Sequence, residues 1–269
     1  MPFAIADVTV VNDRTTYIED VYLIPETEDS FDVTGTVSNA LTGDALDGIT
    51  VRFRTGWNNT LGQLAVDASG NQAITTTDAY GMYTINMGAC CYTAEFSKDG
   101  FVTGYVNVIS SLLSGMQDAV LTPVLSNDEF RIVLTWGENP NNLDSHVEGT
   151  LSNGESFHVY YRHQSQFDGD IEVCNLDVDD TTSYGPETIT LRPTTVYPYY
   201  YYIHHYAGTG RIATSGAIIQ VYRGNNLVAT FNAPIDQGSG IYWSVFAIVN
   251  GEIVVNNTIT GTTNTTYAD

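Results

Sequence analysis

Basic residues are scarce in this chain: 9 Lys and Arg stand against 31 Asp and Glu, a formal net charge of −22. Nucleic acid and anionic membrane both recruit basic patches, so both are poor partners for such a surface. The acids are scattered rather than run together, which argues against a disordered acidic tail. They suit a soluble extracellular protein, and they also suit binding of divalent cations. No apolar run reaches the roughly 18 residues of a transmembrane helix, so membrane insertion is not expected. The opening MPFAIADVTV lacks the basic region and apolar block of a signal peptide. The extracellular reading therefore takes the numbering to begin after processing.

Cysteine is nearly absent as well, with only Cys90, Cys91 and Cys174. Neighbours in a strand project to opposite faces, so Cys90 and Cys91 are not expected to bond to each other. A bridge from one of them to Cys174 is the remaining pairing, and no metal-thiolate spacing exists. Catalytic motifs are missing too: no Gly-x-Ser-x-Gly elbow, no phosphate-cradling loop, no EF-hand and no H-E-x-x-H. Ser145 lies between Asp144 and His146, but adjacent strand residues point apart and cannot form a triad. No catalytic residue is assigned, and the chain is not expected to be an enzyme.

Helical periodicity is nearly absent, whereas β-branched and aromatic residues alternate with polar ones almost throughout, as in FDVTGTVS, ITVRFRT, FRIVLTW and WSVFAIV. Turn signals such as LTGD, DASGN, KDG and YRGNN punctuate these runs. The pattern predicts an all-β protein of two tandem antiparallel β-sandwich domains with an N-terminal strand extension. The expected divisions are a strand extension over 1–29, a first sandwich over 30–124, a second over 128–257 and a flexible tail over 258–269. One helical turn is expected near Ser111–Gly115.

The stretch DVTGTVSNALTGDALDGITVRFRTG, followed by ITTTDAYGMYTINMGACCYTAEFSKDGFVTGYVNV, resembles a carboxypeptidase regulatory-like domain of the prealbumin type, from about Asp32 to Val124. Gly43, Gly48, Gly81 and Gly100 fall where its turns need positive φ, while Val37, Val51, Phe53, Tyr83, Ile85 and Phe96 alternate inward. The resemblance implies a non-catalytic spacer or scaffold. ACCY departs from the family, which commonly has Gly or an aromatic there. Residues from about Asp128 to Asn257, with WGENP–LDSH, HVYY, LDVDD–YGPET and a late W-x-V-F strand, resemble an uncharacterised bacterial surface-protein domain. That second resemblance implies architecture and an extracellular setting, without a chemistry.

Arg131 to His205 concentrates the polar chemistry: RIVLTWGENPNNLDSHVEG, FHVYY, LDVDDTTSYGPETITL and YYYYIHHY. Residues two apart on a strand share a face, so Asp144 and His146 should, and so should Asp177 and Asp179. Calcium takes six to eight hard oxygens, which Asp144, Asp177, Asp179, Asp180 and Glu187 could begin to supply. A transition metal prefers imidazole with carboxylate, from His146, His158, His204 or His205. The candidate metal set is Asp144, His146, His158, Asp177, Asp179, Asp180 and Glu187, with Ca2+ or another divalent cation as cofactor. The alternative is a polar network in which these groups satisfy one another across the sheet, Gly185–Pro186 simply turning the chain.

The chain has 18 tyrosines, crowded between Tyr197 and Tyr206. On a strand half of these face solvent, and Tyr199, Tyr201 and Tyr206 are candidates for gripping a glycan or a protein. Cross-strand aromatic packing is the alternative. Sequons at Asn58, Asn256 and Asn264 carry little weight in a chain so rich in Asn and Thr. Within 1–29, Ile5, Val8, Val10, Ile18, Val21 and Leu23 are too apolar for a free tail, and an isolated hairpin is marginal in water. Those residues should add to a sheet, within the chain or on a neighbouring copy. The expectation is a structural subunit of an extracellular or cell-surface fibre, self-associating into a homopolymer by strand addition. A glycan-binding adhesin and a metal-dependent hydrolase are the alternatives.

Overall fold

The computed structural model describes residues 29–235 and 239–262, and every described regular element is a strand except one 3₁₀ turn at Ile212–Thr214. The apolar positions Ile5, Val8, Val10, Ile18, Val21 and Leu23 lie outside the described residues. Among the described residues no helix is long and apolar enough to cross a membrane. The chain divides into two compact units, one ending at Leu121 and the other continuing from Thr122, with Ala40–Gly43 grouped in the second. The boundary precedes the expected 124 because Thr122 and Pro123 bind Arg131 of the second unit: its guanidinium donates to Thr122 Oγ1 at 2.8 Å and to the Pro123 carbonyl at 3.1 Å.

The first unit contains β1 (Ser30–Asn39), β2 (Thr50–Thr55), β3 (Ile74–Thr76), β4 (Met82–Gly88), β5 (Cys90–Ser97), β6 (Gly104–Ser110) and β7 (Ala119–Leu121). They form two sheets, β4-β1-β7 and β3-β2-β5-β6. All described pairs are antiparallel except β1 with β7, where Val37 lies beside Ala119 in a parallel register. Alternation does what the sequence implies: Val37, Val51, Phe53, Tyr83, Ile85 and Phe96 all enter one buried cluster. Gly81, at φ +73°, shows why glycine is needed, since a Cβ there would sit 2.6 Å from the Val37 carbonyl oxygen. The segment near Ser111–Gly115 is a turn closed by Ser114 N–H to the Ser111 carbonyl at 3.2 Å, not a helix. Two serines and a glycine there favour a turn over helix propagation. All three cysteines are free thiols here, Cys174 buried and Cys90 and Cys91 partly so.

The second unit contains β8 (Phe130–Thr135), β9 (Asn142–Thr150), β10 (Ser156–Val159), β11 (Ser165–Asp168), β12 (Ile171–Val178), β13 (Glu187–Leu191), β14 (Tyr199–Ala207), β15 (Ile218–Arg223), β16 (Asn226–Asn232), β17 (Tyr242–Val249) and β18 (Glu252–Thr260). A five-stranded sheet, β10-β9-β14-β17-β18, faces a six-stranded one, β11-β12-β13-β8-β15-β16. Their inner faces share one core, with Leu143, Val147, Ile203 and Trp243 from the first and Ile132, Leu134, Ile189 and Val221 from the second. Burying each such side chain contributes about 1.5–3 kcal/mol. The first residues of the tail expected from 258 are strand: β18 runs on to Thr260, and Ile259 is buried against this core opposite Trp243. An apolar residue in register with a buried strand outweighs the loose Asn/Thr composition around it.

Candidate metal centre

Two strands of the five-stranded sheet and one corner of its partner build the site. On β9, Leu143, Ser145 and Val147 turn toward the core, leaving Asp144, His146 and Glu148 on the other face. Register sets His204 of β14 directly opposite Asp144, and Tyr202 opposite His146. The outer face is nonetheless closed over: Asp144, His146, Glu148 and Tyr202 are all at most 2 % exposed. The cover is aromatic. The His146 ring stacks on Tyr202 at 4.7 Å and on His158 at 5.0 Å, and His158 stacks on Tyr160 at 4.3 Å.

Glu187 reaches the same corner from the first residue of β13. The loop before it is stitched to the loop before β9: Ser183 N–H donates to the Asn141 carbonyl at 2.8 Å, and Trp136 N–H to the Tyr184 carbonyl at 3.2 Å. Ser183, Tyr184 and Gly185 take left-handed φ values of 85°, 67° and 78°. A Cβ at Gly185 would come within 2.8 Å of the Trp136 ring, so the chain passes there only because that position is glycine. Glu187 Oε2 then accepts the Ser145 backbone N–H at 2.5 Å.

Two triads of ligand atoms converge here, each with its atoms within 4.8 Å of one another: Asp144 with His146 and His204, and Asp144 with Asp179 and Glu187. Asp144 is common to both. Burial, and next the Asp144 charge, pushes the Glu187 carboxyl well above the usual carboxylate range. Burial, then His158 and His204, holds the His146 imidazole well below its ordinary range and so neutral. Neutral imidazole is the form that ligates metals. The buried polar atoms without a hydrogen-bond partner among the described residues include His146 Nε2, Asp179 Oδ1 and Glu187 Oε1 at this corner. Such orphans call for an explanation, because an unpaired buried polar atom costs about 1–3 kcal/mol.

Several residues of the candidate set lie elsewhere. Asp177 does not share a face with Asp179. The pairing of β12 with β13 shifts register between Leu176 and Val178, so Asp177 is the extra residue of a bulge and the alternation resets after it. Its carboxylate accepts from Thr190 Oγ1 at 2.5 Å and from Asn175 Nδ2 at 2.7 Å. Asp180 caps its own turn, accepting from the Thr182 N–H and hydroxyl at 2.7 Å each. His158 stands one layer out, its Nε2 2.8 Å from His146 Nδ1. The set lacked His204, which strand register supplies and spacing from Asp144 along the chain cannot reveal. His205, next to it, faces away and meets the Gly208 carbonyl at 3.2 Å.

Two tyrosine candidates are corrected too. Tyr199 and Tyr201 are each 2 % exposed, against 49 % for Tyr206. Tyr199 accepts the Thr194 and Thr195 N–H groups, and Tyr201 bonds Ser145 Oγ at 3.0 Å while stacking on Phe246. In a run of four tyrosines every position is equally apolar, so the pattern leaves open which alternate set is buried; packing against the core selects Tyr199, Tyr201 and Ile203.

No protein-family profile matches the chain, and no curated protein matches its sequence. The carboxypeptidase regulatory-like resemblance thus rests on the motifs between Asp32 and Val124 alone.

Proposed function

We propose that this chain is a non-catalytic structural subunit of an extracellular or cell-surface fibre, joined to its neighbours by β-strand addition. The observation that carries the reading is β18. It is a nine-residue strand at the end of its sheet among the described residues, with Val254 53 % and Val255 63 % exposed. It holds no Lys or Pro, the residues that commonly blunt a sheet edge against pairing. Beside it lies a shallow hollow of about 320 Å³ lined by Tyr200, Tyr202, Ser244, Ala247, Val254 and Asn256. In strand addition main-chain bonds supply affinity, and such hollows receive alternate side chains. The donor is the apolar segment holding Ile5, Val8, Val10, Ile18, Val21 and Leu23 of another copy. A donor and an acceptor at different places on one chain make a heterologous contact, which propagates into a filament.

Electron microscopy of the purified full chain tests this directly: ordered filaments are expected, and deletion of residues 1–24 should leave soluble monomer. A full chain that stays monomeric, or a deletion that unfolds or keeps the oligomer, would sink the reading. A glycan-binding surface is favoured by one observation only. Tyr206 is exposed and edge-on to Tyr161 at 5.1 Å, with the Arg162 guanidinium 5.2 Å over the Tyr161 ring. Glycan-array binding lost in Tyr206→Ala would support it.

A further inference from the structure

Each half of the corner around Asp144 has an electrostatic problem that one cation resolves. Asp144, Asp179 and Glu187 bring carboxylate oxygens within 4.8 Å of one another, with Asp144 and Glu187 at 2 % and 1 % exposure. Like charges so placed repel in a low-dielectric setting. No Lys or Arg forms an ion pair with Asp179 or Glu187 among the described salt bridges. Three arginines of this unit pair elsewhere: Arg131 and Arg192 with Glu129, and Arg223 with Asp128 and Glu252.

The imidazole half points the same way. His146 is fully buried, its Nδ1 lies 2.8 Å from His158 Nε2, and its Nε2 is unpartnered. If Nδ1 carries the proton it donates to His158, and the Nε2 lone pair is left for the cluster. Metal-bound histidines are held in this way, with the second ring nitrogen donating to an outer partner. Beside His158, the Tyr202 hydroxyl lies 3.1 Å from Nε2 and donates to Glu148 Oε1 at 2.9 Å.

We propose that the second unit binds a divalent transition-metal ion of the zinc class through Asp144, His146 and His204, with Asp179 and Glu187 flanking the same Asp144 carboxylate. Two imidazoles and a carboxylate are a borderline-soft donor set that suits zinc or cobalt better than calcium, which takes six to eight oxygens. The cation neutralises the flanking carboxylates and pins β9, β14 and β13 together at one corner. His158 acts as a positioning residue, fixing the tautomer and orientation of His146.

The test uses the full chain stripped with EDTA and titrated with ZnCl2, and with CoCl2 as a spectroscopic surrogate. Zn2+ is expected to raise the melting temperature by about 5 °C or more, by preferential binding to the folded state. Co2+ is expected to give visible absorption of a nitrogen- and oxygen-ligated ion. CaCl2 at the same concentration should not reproduce the shift. His204→Ala should abolish it, His158→Ala should weaken affinity by roughly 10–100-fold, and His205→Ala, one residue along, should bind as the unaltered chain does. No shift and no absorption would overturn the proposal, as would a shift unchanged in His204→Ala or a larger one with Ca2+. Should His204→Ala fail to fold, the Co2+ spectrum of the unaltered chain decides.

Discussion

The two units share a sandwich architecture and differ in what they bury. In the first, the buried polar residues among those described are hydroxyls, Thr77, Thr93 and Ser110, and all three have partners. In the second they include Arg131, Asp144, His146, Glu148 and Glu187. A hydroxyl is satisfied by one nearby carbonyl, whereas a buried charge demands a counter-charge, a proton or a metal. The first unit is thus a scaffold held by apolar packing. The second carries an electrostatic constraint at one corner that packing does not resolve.

The largest expected effects set the two sources of stability side by side. Phe53→Ala empties a fully buried aromatic position in the first unit and should cost about 3–5 kcal/mol in urea unfolding. Arg131→Ala in the second should cost about 1.5–3 kcal/mol, because Glu129 loses the guanidinium at 2.8 Å and keeps only Arg192 at 3.5 Å. A loss below about 1 kcal/mol would mean Arg131 is a bystander and would erase the contrast.

Glu187→Gln sharpens the comparison at the corner itself. The amide oxygen can still accept the Ser145 N–H, while the repulsion with Asp144 disappears. In EDTA-treated protein the change should stabilise folding, because the amide keeps the bond to Ser145 without the burial and Asp144 penalties that push the Glu187 carboxyl up. Equal destabilisation with and without EDTA would show that the carboxylate belongs to a satisfied network instead.

A smaller effect belongs to the first unit. Tyr83 donates its hydroxyl to the Gln117 carbonyl at 2.5 Å, so Tyr83→Phe should cost about 0.5–1.5 kcal/mol, read by the same urea transition. Smallest for stability is Val255→Lys on β18, which tests the proposed strand addition. Monomer stability should move by no more than about 0.5 kcal/mol, while the proposal requires that the variant form no filaments in micrographs.

Much of the fold was legible from local pattern. Val37, Val51, Phe53, Tyr83, Ile85 and Phe96 alternate in the sequence and are buried together, and Gly43, Gly48, Gly81 and Gly100 all take positive φ. The face shared by Asp144 and His146 was legible for the same reason. Less visible was the parallel β1–β7 pair, because strand direction within a sheet is a non-local property. The site was half legible. Asp144 meets His146 in one triad and Asp179 with Glu187 in another, but Asp177 and Asp180 turn to local hydroxyls and amides, and His204 enters through a register that links positions far apart in the chain. Nothing in LDVDD marks the bulge that separates Asp177 from Asp179.

By itself the amino-acid order determined an all-β protein, since strand alternation and turn glycines act over only a few residues and are written directly in it. Tertiary structure alone decided which tyrosines are buried and which acids and imidazoles converge on Asp144. Those outcomes depend on the register of β9 against β14 and on how β13 meets β9 at the corner. They depend also on one extra residue in β12, and contacts between distant segments carry no period that a single strand can display.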